Sequence, residues 1–299
     1  MNKNDVQWKG NFNAVITPFN ENGQINNLDF QRNIELLIGE GINGIIVAGC
    51  TGEFWALSDD ERVEIYTLAV EAAAGKVPVI AGTSHMLTDQ VINLSQRAKE
   101  TGVDGLMITP PYYILPNEVE IIEHYQQISE NVDLPILVYN IPKRVGVTTS
   151  PALLLKLAEI NNIVAVKQSS SGFSDVVETV ELCGEKIVVF AGHSVTRGFP
   201  CVAMGADGFV SSVEPQIMGK AAIELYEISK SGNTDNARNL QQKLIKLDEA
   251  VHGLGTFPSA LKAAMNVKGR PGGYPRKPIL PLNEGEISKL ESIMSKIDL

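Results

Sequence analysis

Short apolar segments rich in Val and Ile recur along the whole chain. The eight segments are NAVITPF (13–19), GIIVAG (44–49), VPVIAGT (77–83), GLMITPP (105–111), PILVYNIP (135–142), IVAVKQ (163–168), IVVFAG (187–192) and GFVSSV (208–213). Each is too short for a typical helix, and their apolar character is nearly continuous. Such segments are typical of strands buried on both faces, as in parallel sheets. The pattern therefore predicts eight buried, parallel strands.

Helix-length segments separate the predicted strands. Examples are the segments 27–40, 58–75 and 150–160. The second begins at Ser58, and Glu61 follows at the spacing of a capping box. Gly41, Gly102 and Gly205 each open a Gly-x-Asn/Asp-Gly joint before a strand, where glycine suits the left-handed residue that ends a helix. The chain is therefore predicted to alternate strand and helix.

Eight β-then-α units without an intervening linker favour a closed (β/α)8 TIM barrel of the α/β class. A doubly wound open sheet is the alternative. It would normally carry a Gly-rich phosphate-binding turn after its first strand, where this chain has Thr17-Pro18-Phe19. Further helices are predicted near 215–231, 233–252, 256–268 and 284–297. Because one helix would suffice to close the barrel, we expect a barrel over 1–225 and a C-terminal helical extension over 226–299.

Composition narrows the classes of function and partner. The 299 residues include 25 Lys and Arg against 35 Asp and Glu, a formal charge of −10. Phosphate backbones and anionic membranes would be repelled, so neither nucleic acid nor a membrane is an expected partner. The polar N-terminal segment lacks the apolar stretch of a signal peptide, and no apolar run approaches the length of a bilayer span. We therefore expect a cytoplasmic protein.

The three cysteines, Cys50, Cys183 and Cys201, form no C-x-x-C motif and cannot all pair with one another. Neither a disulfide framework nor a structural zinc site is expected.

Candidate chemistry is concentrated at the strand ends, since barrel active sites lie at the C-terminal ends of the strands. Lys167 ends the otherwise apolar sixth strand. Burial of an ammonium group is costly and lowers its pKa, which supplies a neutral amine that can form an imine with a carbonyl substrate. The alternative, which is commoner for lysines at strand ends, is a side chain that extends to solvent.

Other strand ends offer residues that would assist an imine. Tyr139 ends strand five and could transfer protons, or it could be an ordinary core tyrosine. Arg144 could bind a substrate carboxylate through two parallel hydrogen bonds, or it could be a solvated loop residue. Thr51 and Gly52 lie in the turn after strand two, whose N–H groups could hold a carboxylate. An ordinary βα turn would explain the same residues.

Four motifs fall in register with these strand ends. They are GCTGE at 49–53, PYY at 111–113, YNIP at 139–142 and VAVKQS at 164–169. Together they resemble the dihydrodipicolinate synthase / N-acetylneuraminate lyase family, and the similarity runs from about residue 10 to the end. The resemblance implies a (β/α)8 barrel with a helical extension, assembled as a homotetramer or homodimer. It also implies a class I aldolase reaction without cofactor or metal.

The resemblance assigns roles to individual residues. Lys167 matches the lysine that forms a Schiff base with pyruvate or another 2-oxo acid, and Tyr139 matches the proton-transferring tyrosine. Thr51 matches the residue that holds the pyruvate carboxylate. Val210 matches the position whose backbone carbonyl faces the keto acid, and Gly192, at the end of strand seven, is expected beside it in the substrate site.

Single residues also indicate which subfamily the chain resembles. Arg144 matches the arginine that binds the aldehyde's carboxylate in the synthase branch, and the sialic-acid lyases lack it. Tyr113 matches the tyrosine that neighbouring synthase subunits exchange to complete a proton relay. However, Cys50 replaces the hydroxyl residue in the middle of that relay, and a thiol is a weak donor and acceptor.

Further departures concern the second substrate. Gly192-His193-Ser194 follows strand seven, where the synthases carry acidic residues, and Val145 replaces the usual Ser or Thr after YNIP. Phe54 and Trp55 are similar to the residues of family members that act on keto-deoxy sugar acids.

The leading hypothesis is a Schiff-base lyase that condenses pyruvate with aspartate semialdehyde, a reaction of lysine biosynthesis. The first alternative is a 2-keto-3-deoxy sugar-acid aldolase or dehydratase, or a 4-hydroxy-2-oxo-acid lyase. The second is a metal-dependent barrel enzyme using His85 and His193, although no His-carboxylate cluster accompanies them and His124 and His252 lie in predicted helices. The third is a non-catalytic paralogue that binds a keto acid, against which the presence of both Lys167 and Tyr139 argues.

Overall fold

The computed structural model, which describes residues 1–170 and 172–297, confirms the predicted fold class. Eight parallel strands close into a barrel in chain order. They are β1 (Gly10–Ala14), β2 (Gly44–Val47), β3 (Val79–Gly82), β4 (Gly105–Ile108), β5 (Ile136–Asn140), β6 (Ile163–Gln168), β7 (Val188–Gly192) and β8 (Gly208–Ser211). Because β8 pairs with β1, the sheet has no free edge.

Helices surround the barrel, and a further group follows it. The helices are α1 (Asn27–Gly39), α2 (Asp59–Ala73), α3 (Thr88–Glu100), α4 (Glu118–Asn131), α5 (Pro142–Val145), α6 (Pro151–Leu157), α7 (Phe173–Cys183), α8 (Ser194–Ala203), α9 (Glu214–Met218), α10 (Lys220–Ile223), α11 (Leu225–Lys230), α12 (Thr234–His252), α13 (Ser259–Val267) and α14 (Glu284–Lys296). The capping box of Ser58 and Glu61 is present at the start of α2. Gly41, Gly102 and Gly205 have φ of 99°, 86° and 96°, the left-handed conformation predicted for them.

The first strand lies earlier in the chain than the predicted 13–19. β1 ends at Ala14 because its register with β8 uses Gly10–Asn13. Its polar residues are buried and bond to β8: Asn13 Nδ2 donates to Ser211 Oγ at 3.1 Å, and the Ser211 hydroxyl donates to Asn11 Oδ1 at 2.6 Å. The apolar residues beyond β1 serve other contacts: Ile16, for example, packs among the C-terminal helices.

The predicted single helix over 215–231 is wrong, because three short helices, α9 to α11, occupy this segment. Gly219, with φ 59° and ψ −135°, interrupts the helical backbone between α9 and α10. Leu225 and Tyr226 of α11 pack with the barrel's surrounding helices. The division of the chain at residue 225 stays a prediction, and the later helices α12, α13 and α14 fall within their predicted segments.

Aromatic side chains close the barrel interior at the N-terminal ends of the strands. A Cβ atom at Gly44 would lie 2.5 Å from the ring of Phe12, and one at Gly105 would lie 2.5 Å from the ring of Trp8. Glycine at these two positions gives the rings the space they fill. The interior is thus packed on this side, and the accessible site lies at the opposite end, the barrel mouth.

The C-terminal extension has its own apolar cluster, contributed by α12, α13 and α14 together with residues of α9. Among the described helices, none is both long enough and apolar enough to span a bilayer.

Candidate active site

Lys167 and Tyr139 meet at the barrel mouth, as predicted. The two residues are register partners on β6 and β5, and Lys167 Nζ lies 4.1 Å from the centroid of the phenol ring. Both are almost wholly buried, with 7% and 6% of their surface exposed. The lysine therefore does not extend into bulk solvent, which was the alternative to a reactive role.

Burial determines the protonation of this pair. Removal from water lowers the pKa of Lys167 to about 8, although the nearby Cys50 acts in the opposite direction. Removal from water also raises the pKa of Tyr139 above its ordinary value, against the effect of the Ser169 hydroxyl. Near neutral pH the site therefore combines a protonated phenol with an amine that readily loses its proton.

The turn after β2 brings Cys50 and Thr51 to the same mouth. Thr51 is buried and lines the cavity that contains Lys167, together with Cys50. Burial raises the pKa of the Cys50 thiol, and the charges of Arg144 and Lys167 only partly oppose that effect. The thiol is therefore protonated. The next residue, Gly52, accepts a hydrogen bond at its carbonyl from Thr17 Oγ1 at 2.8 Å, which helps to fix the turn.

A buried ion pair supports this turn from the C-terminal extension. Glu53, in the left-handed conformation with φ 55°, pairs with Lys262 of α13, and both side chains are buried. Lys262 Nζ also donates to the carbonyl of Thr17 at 2.7 Å, and the backbone N–H of Arg276 donates to Glu53 Oε2 at 3.1 Å. Sequence reasoning missed Lys262; the available signal was a single charge within the otherwise small and apolar sequence of α13.

Strands β7 and β8, which follow β6 around the barrel, continue the wall of the Lys167 cavity. Gly192 and Val210 are register partners on β7 and β8, and Val210 lines the cavity with Lys167. A Cβ atom at Gly192 would lie 1.7 Å from the Ser169 hydroxyl oxygen. Glycine is therefore required here for Ser169 to occupy its position near Tyr139.

Two adjoining cavities open at the mouth and share the wall residues Cys50, Tyr139, Ile141 and Arg144. The smaller, of about 80 Å³, contains Lys167. The larger, of about 240 Å³, is mainly apolar. Its apolar walls come from Phe54, Trp55, Met107, Tyr112, Ile141 and Val145. Arg144 thus borders both spaces and can reach a carboxylate in either.

Sequence reasoning gave no role in the site to Glu214, Asp248 and His252. These residues line the smaller cavity together with His193 and Ser194, whose position after strand seven it did note. Two of them belong to α12, a helix that gave no sign in the sequence of approaching the barrel mouth. Burial, with the charges of Lys167 and Arg197, lowers the pKa of His193 to about 4, so this imidazole is neutral near pH 7.

Tyr113 does not contribute to the site of its own chain. It is 86% exposed, with a left-handed φ of 76°, and lines neither cavity, whereas its neighbour Tyr112 lines the larger one. His85 also lies outside both walls. Within residues 1–170 and 172–297, no three His, Cys, Asp or Glu side chains are grouped as metal ligands would be.

The fold, the match to a family model and the named relatives below together make the chain a lyase-type barrel enzyme of a class I aldolase family. The model of the dihydrodipicolinate synthetase family matches residues 7–297. The chain belongs to this family.

Similar proteins are found among both sequences and solved structures. The chain is 37% identical to 4-hydroxy-tetrahydrodipicolinate synthase 1 of Halalkalibacterium halodurans, over 93% of each chain. It is 34% identical to the 4-hydroxy-tetrahydrodipicolinate synthase of Methanothrix thermoacetophila, over 97% of each. A dihydrodipicolinate synthase of Bacillus anthracis superposes with a TM-score of 0.92 at 32% identity, over 97% of this chain and 98% of the other.

Proposed function

We propose that the protein condenses pyruvate with aspartate semialdehyde through an imine on Lys167. The observation that carries this proposal is the buried Lys167 amine, whose pKa is lowered to about 8, set over the Tyr139 ring at the barrel mouth. The similarity to named synthases over nearly the full chain supports the choice of substrates.

The residues have distinct roles in the proposed reaction. The neutral Lys167 amine attacks the ketone carbon of pyruvate, and loss of water gives the imine. The imine withdraws electrons, so a proton leaves the methyl carbon and an enamine forms. The enamine carbon then bonds to the aldehyde carbon, whose oxygen takes a proton. The Tyr139 phenol moves protons in these steps.

Binding groups surround this chemistry. Thr51 and the backbone beside Gly52 hold the pyruvate carboxylate. Val210 lines the keto-acid site, and Gly192 lies beside it on β7. Arg144 binds the carboxylate of the aldehyde, since its guanidinium suits bidentate contact with a carboxylate.

The decisive experiment is reductive trapping with pyruvate and borohydride, read by intact mass and peptide mapping. A reduced pyruvyl adduct on Lys167, absent from the K167R variant, supports the imine. Turnover of pyruvate with aspartate semialdehyde by enzyme that has not been treated with borohydride then tests the second substrate. An enzyme that gives no Lys167 adduct would contradict the proposal.

The assembly is also a proposal. We infer a homodimer or homotetramer in which Tyr113 reaches the neighbouring subunit's site, because Tyr113, Ile114 and Leu115 are 86%, 62% and 59% exposed and form a contiguous, largely apolar segment. A structurally similar protein is described as a monomeric dihydrodipicolinate synthase variant, with a TM-score of 0.91. Sedimentation velocity tests the assembly, and a monomer with full activity would contradict it. A cytoplasmic location stays a prediction.

A further inference from the structure

Two residues of the C-terminal extension lie at the barrel mouth without a part in the imine chemistry. Asp248 and His252 stand one turn apart on α12, and both line the cavity that contains Lys167. His252 Nδ1 lies 3.1 Å from Asp248 Oδ1. The ring of Phe257 stacks on the imidazole, with centroids 4.8 Å apart and 4° between the planes. These contacts hold the two side chains in one arrangement.

The same face of α12 is hydrogen-bonded to helix α8, which follows β7. Gln241 donates from Nε2 to the carbonyl of Ser194 at 3.1 Å and accepts at Oε1 from the N–H of Phe199 at 3.0 Å. Asp248 and His252 follow Gln241 by seven and eleven residues, so all three share one face of the helix. The bonds of Gln241 therefore set the position of the pair relative to the barrel.

The carboxylates of Glu214 and Asp248 differ in whether their oxygens already accept hydrogen bonds. Glu214 is buried, and its two oxygens are occupied by the Ser194 hydroxyl and by the N–H of Val213, at 3.1 Å. His252 Nδ1 lies 3.1 Å from Asp248 Oδ1 and also 3.1 Å from the Asp248 backbone carbonyl. Oδ2 of Asp248 has no hydrogen-bond partner among residues 1–170 and 172–297, and the side chain is 23% exposed. Asp248 is therefore the carboxylate that can accept a hydrogen bond from a ligand.

The site thus has unlike charges on its two sides. Arg144 borders both the larger, mainly apolar cavity and the smaller cavity that contains Lys167. Asp248 borders only the smaller cavity. An aldehyde that carries both a carboxylate and an amino group can satisfy both residues. We propose that Asp248, positioned by His252, accepts a hydrogen bond from the amino group of the second substrate. It thereby determines a preference for amino-acid aldehydes, an inference that rests on the proposed function.

The test compares two aldehydes that differ only in the amino group, aspartate semialdehyde and succinic semialdehyde. With pyruvate saturating, kcat/KM is measured for each with the wild-type enzyme and with D248N and H252N. D248N should lower the ratio of the two kcat/KM values about tenfold or more, since a hydrogen bond to a charged group is lost. H252N should lower it less, because the carboxylate remains but loses its anchor. The KM for pyruvate should not change.

D235N is the matched control, since Asp235 lies at the other end of α12, pairs with Arg238 and is 79% exposed. It should leave the ratio unchanged. A wild-type ratio near one, or an equal loss for both aldehydes in D248N, would overturn the inference. Failure of the proposed function would show differently, as an absent pyruvate adduct or no turnover of aspartate semialdehyde. Thermal unfolding of each variant separates a folding defect from a changed ratio.

Discussion

Glu53, in the turn after β2, and Lys262, in helix α13, form a buried ion pair that joins the barrel mouth to the C-terminal extension. The lysine also donates to the carbonyls of Thr17 and Tyr274, at 2.7 and 2.8 Å. The extension is therefore a structural support of the turn that carries Cys50 and Thr51.

Replacement of Lys262 by Met should destabilise the protein by about 3–5 kcal/mol, because Glu53 would be left buried without its partner. Denaturant unfolding measures the change. K156M is the matched control: Lys156 pairs with Glu118 at the surface, where the side chains are 59% and 58% exposed, and its loss should cost at most about 1 kcal/mol. Equal effects of the two substitutions would contradict a structural role for the buried pair.

The rate of imine formation should depend on pH through Lys167. Burial lowers the pKa of this amine to about 8, and only the neutral form attacks a carbonyl. The rate of trapping with pyruvate should therefore rise about tenfold per pH unit below 8 and level off above it. Cyanoborohydride trapping from pH 6 to 9.5, followed by intact mass, gives the profile. A rate still rising steeply at pH 9.5 would show an ordinary, solvated lysine.

Replacement of Tyr139 by Phe keeps the ring beneath Lys167 but removes the hydroxyl. The kcat should fall about 10²–10⁴-fold, the range for loss of a general acid–base group, with little change in the KM for pyruvate. Y125F is the control, since the Tyr125 hydroxyl donates to the Ile108 carbonyl at 2.8 Å in the core. It should alter stability rather than kcat. An unchanged kcat in Y139F would remove the phenol from the mechanism.

Cys50 is the residue at which this site departs most clearly from a relay of hydroxyl groups. C50T should raise kcat with aspartate semialdehyde several-fold, because a hydroxyl donates and accepts hydrogen bonds better than a thiol. C50A, which offers neither, should show no gain. A loss of activity in C50T would indicate that the site is adapted to the thiol and to a different second substrate.

Replacement of Arg144 by Met should raise the KM for the aldehyde about tenfold or more and leave the KM for pyruvate unchanged, because a charged hydrogen bond is lost on one substrate only. The loss should be similar for aspartate semialdehyde and succinic semialdehyde, since both carry the carboxylate. Steady-state kinetics with each substrate varied in turn provides the measurement. K143M, at the adjacent exposed position, is the control, and an effect of the same size there would contradict the assignment.

From the sequence alone, the barrel and a lysine at its mouth could be predicted. A strand that is buried on both faces is recognisable in the sequence as a continuous apolar segment. Lys167 is conspicuous because burial of an ammonium group at the end of such a strand is costly unless the charge is paired or its pKa falls. The glycines that end helices were recognisable for the same local reason, since Gly41, Gly102 and Gly205 need a left-handed backbone. A buried charge or a left-handed backbone position can be recognised in the sequence from a single residue and its neighbours.

The surroundings of that lysine depend on contacts between segments that lie far apart in the chain. Asp248 and His252 look like ordinary polar residues of an amphipathic helix, and their position at the mouth follows from the contacts of Gln241 with helix α8. Lys262 meets Glu53 across more than two hundred residues of chain. The single helix expected over 215–231 breaks at Gly219, which has φ 59° and ψ −135° and where a Cβ atom would lie 2.2 Å from Glu40 Oε1, a residue far away in the chain. Such contacts depend on how distant segments pack, a property that no local pattern records.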